Sequence, residues 1–224
     1  MGATATVTIA ADRTTAMATS NARPRQRLFV GRTLMAATAI MGTAACSGTV
    51  QNAKPPSVQS AEAPFAWFNA APAPAGWKTM ELPDGTGILA VPPGASPAES
   101  DPGSVSAVVA PSTGELRIYL NATPRQGDEA LDTWETFRLD HLADENSSAP
   151  AKIAGLTGMA FRGGMGSCVD DSYLTHVGGN RYREIACLVS GSRGSSVLIV
   201  AAPADSWVLY SPVLEQAVNS YQAR

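Results

Sequence analysis

The sequence predicts a single α+β domain with a mainly antiparallel sheet. Three observations carry the prediction. Short β-prone runs come in pairs around turn-forming residues, as hairpins do. Two later segments repeat apolar residues at the helical period. Neither an internal repeat nor a second domain is visible in the 224 residues, a length that allows one ordinary domain with extensions.

The elements follow in order. Residues 77–82 and 86–91 are β-prone and flank Pro83-Asp84-Gly85, and Pro92-Pro93-Gly94 ends the second run. Residues 104–110 and 115–122 flank Pro111-Ser112-Thr113-Gly114. In the second of these, Leu116, Ile118 and Leu120 alternate with Arg117, Tyr119 and Asn121, the pattern of a half-buried strand. The clearest helix covers 129–143, with Asp128 placed to cap it. Its inward face holds Leu131, Trp134, Phe137 or Arg138, His141 and Leu142, while Asp132, Glu135 and Asp140 turn to solvent. Residues 146–150 read as a loop.

Residues 152–162 begin another strand region, loosened by Gly155, Gly158, Gly163, Gly164 and Gly166. Residues 167–177 and 181–190 form the arms of a hairpin around Gly178-Gly179-Asn180. Residues 195–202 (SSVLIVAA) have few polar interruptions and are expected at the centre of the sheet. Residues 203–207 connect to a final helix, 213–221, with Leu214, Ala217, Val218 and Tyr221 inward.

Charge divides the chain. Residues 1–45 carry five arginines (Arg13, Arg23, Arg25, Arg27, Arg32) against Asp12, a net +4, and residues 46–224 sum to −7. A basic front on an acidic body is the pattern of a targeting peptide on a mature protein, and no overall basic balance points to nucleic acid. After the arginines comes an apolar run, residues 33–45. As a helix it spans about 20 Å against roughly 30 Å of hydrocarbon, which suits a signal-peptide h-region and not a membrane span. The run closes in Thr43-Ala44-Ala45-Cys46. Small residues directly before a cysteine resemble the bacterial lipobox, which implies that Cys46 becomes the lipidated N-terminus of the mature chain. Thr43 stands where the lipobox usually has Leu, and the other reading is an ordinary cleaved signal with Cys46 incidental. Residues 1–16 lack a basic cluster, so translation is expected to start at Met17.

Residues 46–76, rich in Pro, Ala, Ser and Gln, read as a tether of roughly 30 Å reach. Phe65, Trp67 and Phe68 interrupt it, either to dock on the domain or to contact the membrane interface or a partner. With Cys46 assigned to lipid, Cys168 and Cys187 are left on the two hairpin arms and are expected to pair, as cysteines of exported domains do. A two-residue turn at Gly178-Gly179 would set Cys168 opposite Val189, so a bulge or a longer turn is needed to join the sulfurs. Closing a loop of about 20 residues contributes about 3 kcal/mol in the chain-entropy model. The alternative, a redox or nucleophilic cysteine, has no CxxC pattern beside it.

Trp77 and Pro83, the strand end Gly87-Ile88-Leu89-Ala90-Val91-Pro92-Pro93-Gly94, the mid-chain helix, the Gly-turn hairpin and the V-L-I-V strand before a last helix form a recognisable series. It is similar to the small actinobacterial lipoproteins of PsbP-like fold, the mycobacterial LpqN and LpqT type, over residues 77–224. The resemblance implies an α/β/α sandwich around an antiparallel sheet. It also implies an adaptor or accessory role, with relatives in a photosystem and in envelope lipid assembly. It brings no catalytic motif, so no active-site residue is carried over.

The residues themselves agree on the lack of a recognisable catalytic set. No G-x-S-x-G elbow exists for the serines. His141 lies on the predicted helix and His176 beside the Gly178 turn, and both read as structural or surface groups. Asp170 and Asp171 are strand neighbours pointing to opposite faces, which prevents a close dyad, and read as solvated surface acid. With Asp140, Asp144 or Glu145 they lack the spacing of a calcium loop. Gly163-Gly164-Met165-Gly166 lacks phosphate-loop spacing and reads as a turn or bulge. Arg181, Arg183 and Arg193 form a small basic patch or pair with Asp170, Asp171 or Glu184.

The expected function is therefore a non-catalytic, membrane-anchored lipoprotein facing outward, binding a protein partner or an envelope component, with no cofactor, metal or nucleic acid. The alternative is a lipid or small-molecule carrier with a pocket between sheet and helix; an envelope hydrolase ranks below both.

Overall fold

In a computed structural model, residues 63–110, 117–144, 147–176 and 178–224 are described, all within the compact unit Ser57–Arg224. The expected signal peptide, Cys46 and the tether up to residue 62 lie outside the described residues.

Among the described residues, ten strands and two α-helices follow one another: β1 (Lys78–Glu81), β2 (Gly87–Val91), β3 (Ser96–Ala98), β4 (Val105–Val109), β5 (Ile118–Pro124), α1 (Trp134–Asp144), β6 (Ser147–Phe161), β7 (Gly164–Thr175), β8 (Arg181–Gly191), β9 (Gly194–Pro203), α2 (Trp207–Ser220) and β10 (Gln222–Ala223). A 3-10 turn, Ala204–Ser206, leads into α2. The strands make two sheets. Seven are ordered β3-β4-β5-β9-β8-β7-β6, and three are ordered β1-β2-β10. Every strand pair is antiparallel.

Alternation along the strands sorts the core into two layers. Cys168, Ile185, Cys187, Val189, Leu198 and Val200 pack with Leu214, Ala217 and Val218 of α2. Their chain neighbours Val169, Ala186, Leu188 and Val197 point the other way and pack with Trp134 of α1. The helices therefore cover opposite faces of the large sheet, and the fold is the expected α/β/α sandwich. The small sheet shares the α2 layer through Leu82, Leu89, Val91 and Ala223. Tyr221 is buried there, its hydroxyl 2.6 Å from Ser196 Oγ. Gly87 makes the room, because a Cβ there would stand 2.0 Å from the Tyr221 oxygen.

Of the two readings of the aromatic segment, docking on the domain is the one observed, so the expected tether stops short of residue 65: Phe65 is buried, and Trp67 and Phe68 pack against the core. Phe68 lies 4.8 Å from Phe161, centroid to centroid, and Asn219 holds the backbone at Asn69 and Ala71. Residues 147–150 belong to β6 rather than to a loop. Pro150 is tolerated because β6 is an edge strand and its ladder shifts register between Ser148 and Ala151.

α1 starts five residues late. The Glu129 carboxylate accepts backbone N–H bonds from Gln126 and Gly127 and so closes a loop, and Asp128 lies well before the first helical residue, Trp134. α2 starts early, at Trp207, and runs through Pro212. Proline removes the donor that the Val208 carbonyl would use, yet Val208 is 86% exposed, so solvent can replace it. β3 and β10, of three and two residues, carry no periodic signal of their own.

Candidate functional site

The Cys-bearing hairpin organises the centre of the molecule. The arms close at Thr175 and Asn180, where the Thr175 backbone N–H donates to the Asn180 carbonyl at 2.9 Å, so the turn is longer than two residues. This longer turn moves the register by two positions from the simple expectation. Cys168 now faces Cys187 instead of Val189, and the sulfurs are joined at 2.08 Å. The bridge is fully buried on the α2 side. It is a staple between neighbouring strands and offers no reactive thiol.

Asp170 and Asp171 do point to opposite faces, but neither is a solvated surface acid. Asp170 accepts two hydrogen bonds from Arg183, at 2.8 and 2.6 Å. The same guanidinium stands 4.5 Å over the Trp207 ring. Arg183 thus fastens the first turn of α2 to the sheet, the duller of the two roles foreseen for it.

Asp171, on the α1 side, is 0% exposed and faces Glu184, which is 1% exposed. Arg138 reaches down from α1 and donates to Glu184 Oε1 through Nε at 2.8 Å and Nη2 at 2.7 Å. Burial opposes the Arg138 charge, but the Glu184 carboxylate more than offsets it and holds the group above its ordinary value. Burial, reinforced by the Glu184 charge and opposed by Arg138, pushes Asp171 up to about 8. Burial also raises the nearby Tyr173 and Tyr119 hydroxyls. The helix comes close at this end because Gly155 of β6 lacks a side chain: a Cβ there would meet the Glu135 carboxylate at 2.0 Å. Glu135 is held by Lys152. The polar strip extends across the face to Asn121, whose amide donates to Ser106 Oγ at 2.9 Å.

This cluster is buried away from solvent. His141 stacks on Phe137 at 5.8 Å, and His176 is exposed beside the hairpin loop. Among the described residues, no three His, Cys, Asp or Glu side chains gather as a metal site.

The open feature lies at one rim of the sheet. A cleft of about 790 Å³ is bounded by Asn180, Arg181 and Tyr182 of the hairpin, by Arg117 before β5, and by Asp205, Leu209 and Tyr210 at the start of α2. Leu209 is 73% exposed and its neighbour Val208 86%. Sequence reading missed this rim because it began the last helix at Val213, after Pro212, and left residues 208–212 unassigned, whereas α2 already includes them. Arg181 was foreseen in a basic patch; it lines the cleft, while Arg183 and Arg193 are engaged elsewhere, Arg193 lying against Gly85.

No protein-family model and no curated protein sequence matches the chain. Solved structures do resemble it. The cyanobacterial PsbP of Synechocystis matches with a TM-score of 0.50 at 10% identity, over 68% of this chain and 95% of that one. The Ran-binding protein Mog1p of Saccharomyces cerevisiae matches with a TM-score of 0.48 at 13% identity, over 66% of this chain and 95% of that one. LpqN of Mycobacterium tuberculosis, described as involved in cell envelope biogenesis, matches with a TM-score of 0.36 at 16% identity, over 67% and 80%. The fold is PsbP-like; at these identities the likeness speaks of fold alone.

Proposed function

We propose that the chain is a non-catalytic, membrane-anchored lipoprotein whose single domain binds a protein partner or envelope component on the extracytoplasmic side. The observation that carries the binding role is the rim beside α2. Two adjacent large apolar side chains, Val208 and Leu209, stand in solvent next to a cleft lined by Arg117, Arg181, Tyr182 and Tyr210. Arginine and tyrosine are the residue types enriched where proteins dock.

The anchor rests on the sequence around Cys46. The chain is docked at Phe65, and eighteen residues separate Phe65 from Cys46 in the sequence. The carrier alternative loses ground at α1, where Trp134, Arg138 and Leu142 fill the space against the sheet.

Two measurements test the proposal. Cys46→Ala is expected to move the protein from the membrane to the soluble fraction, and retention in the membrane sinks the anchor. A photo-crosslinker at Leu209 is expected to capture a discrete envelope partner that the same probe at exposed Ile153 does not. Equal capture at both sites, or none at Leu209, sinks the docking rim.

A further inference from the structure

Asp171 and Glu184 are direct cross-strand partners, both shut off from water. Both contacts from Arg138 fall on Glu184 Oε1. Glu184 Oε2 and both carboxyl oxygens of Asp171 are left without a hydrogen-bond partner. Two ionised carboxylates against one guanidinium would bury a surplus negative charge, which costs several kcal/mol. A protonated carboxyl, by contrast, is a donor. One proton on Asp171 removes the surplus charge and supplies a donor for the free oxygen of Glu184.

We propose that Asp171 and Glu184 share one proton, and that this proton, with Arg138, latches α1 onto the sheet so that its loss releases the helix.

Among the described residues, the surroundings offer no substitute cation. Lys152 of β6 is the register partner of Asp171 on its other side, but its ammonium is held by Glu135 of α1. α1 otherwise presents Arg138, bound to Glu184, and His141, which stacks on Phe137. β7 adds Tyr173, and Asp170 on the reverse face is bound to Arg183. β8 adds Tyr182, β9 sets the uncharged Ala201 beside Glu184, and Tyr119 of β5 lies next along that row. The raised Asp171 value of about 8, caused first by burial and then by Glu184, runs in the same direction.

Lifting α1 would bare Asp171 to water, where a carboxyl ionises near 4. Between that value and the latched one, the opening equilibrium rises about tenfold per pH unit, the signature of one linked proton.

The test is hydrogen–deuterium exchange of the α1 amides in the full chain from pH 5 to 9, corrected for intrinsic rates. Protection is expected to fall about tenfold per pH unit in the lower part of that range and to level off above about 8. Asp171→Asn and Glu184→Gln are each expected to flatten the profile, and His141→Gln to leave it unchanged. A protonated-carboxyl infrared band is expected at pH 6 and is lost in Asp171→Asn. A flat wild-type profile, a slope surviving in Asp171→Asn, a slope abolished by His141→Gln, or absence of the band overturns the latch.

Discussion

The two faces of the seven-stranded sheet are built from different materials. The α2 face is mainly apolar: Leu198, Val200, Ile185 and the disulfide meet Leu214, Ala217 and Val218, with the paired Asp170 and Arg183 beneath Trp207. The α1 face has a small apolar cluster around Trp134, and beside it a buried strip of Arg138, Glu184, Asp171 and Asn121. Apolar packing is insensitive to pH and loses stability in proportion to the volume removed. A buried charge cluster works as a unit, and its stability depends on whether every charge keeps its partner. The same strands thus carry a passive layer on one side and a titratable one on the other.

The largest effect should come from the titratable side. Arg138→Ala leaves two facing carboxyls with no cation and is expected to lower stability by about 4 kcal/mol, more at high pH than at low pH. Denaturant titrations at two pH values check this, and a pH-independent loss would break the contrast. On the passive side, Leu214→Ala should cost about 3 kcal/mol at every pH. Replacing both Cys168 and Cys187 by alanine should remove about 3 kcal/mol, measured as the drop in melting free energy against the oxidised parent.

The pH dependence itself sharpens the comparison. The folded-state value for Asp171 lies above its unfolded value, so the folded chain holds the extra proton. Its contribution is complete below about pH 4 and is lost as pH rises towards 8. The expected slope is a fall of about 1.4 kcal/mol per pH unit within that window, absent in Asp171→Asn. The smallest effect belongs to the surface. Glu81→Gln breaks the half-exposed pair with Arg224 and should change stability by less than about 0.5 kcal/mol, within reach of a thermal shift assay.

Much of the passive layer is legible in sequence. Ile118 and Leu120 alternate as they should, residues 195–202 do lie inside the sheet, and Leu214, Ala217, Val218 and Tyr221 all point inward. Periodicity works where burial follows hydrophobicity. It fails on the other face, where Asp171, Glu184 and Arg138 are buried because they answer one another across strands and helix. A pair of adjacent aspartates reads as surface, and only the fold reveals that one meets Glu184. Of the two inward choices at the α1 turn, Arg138 is the deeper, because Glu184 waits beneath it. Register was beyond reach for a different reason. Gly178-Gly179 signals a turn but not its length, and two extra loop residues decide whether Cys168 meets Val189 or Cys187. The docked aromatics from Phe65 to Phe68 were readable as an interruption, while their destination, Phe161, lies in a distant strand.

The small sheet joins segments that lie far apart in the sequence. Its middle strand, β2, pairs on one side with β1 across a short turn and on the other with β10, which follows the last helix. Arg224 extends that seam: its amide donates to the Thr86 carbonyl and its carbonyl accepts from the Arg193 amide. Cutting the chain ahead of Gln222 would therefore bare one edge of β2 at Gly87 and Ile88 and leave an open template for another strand.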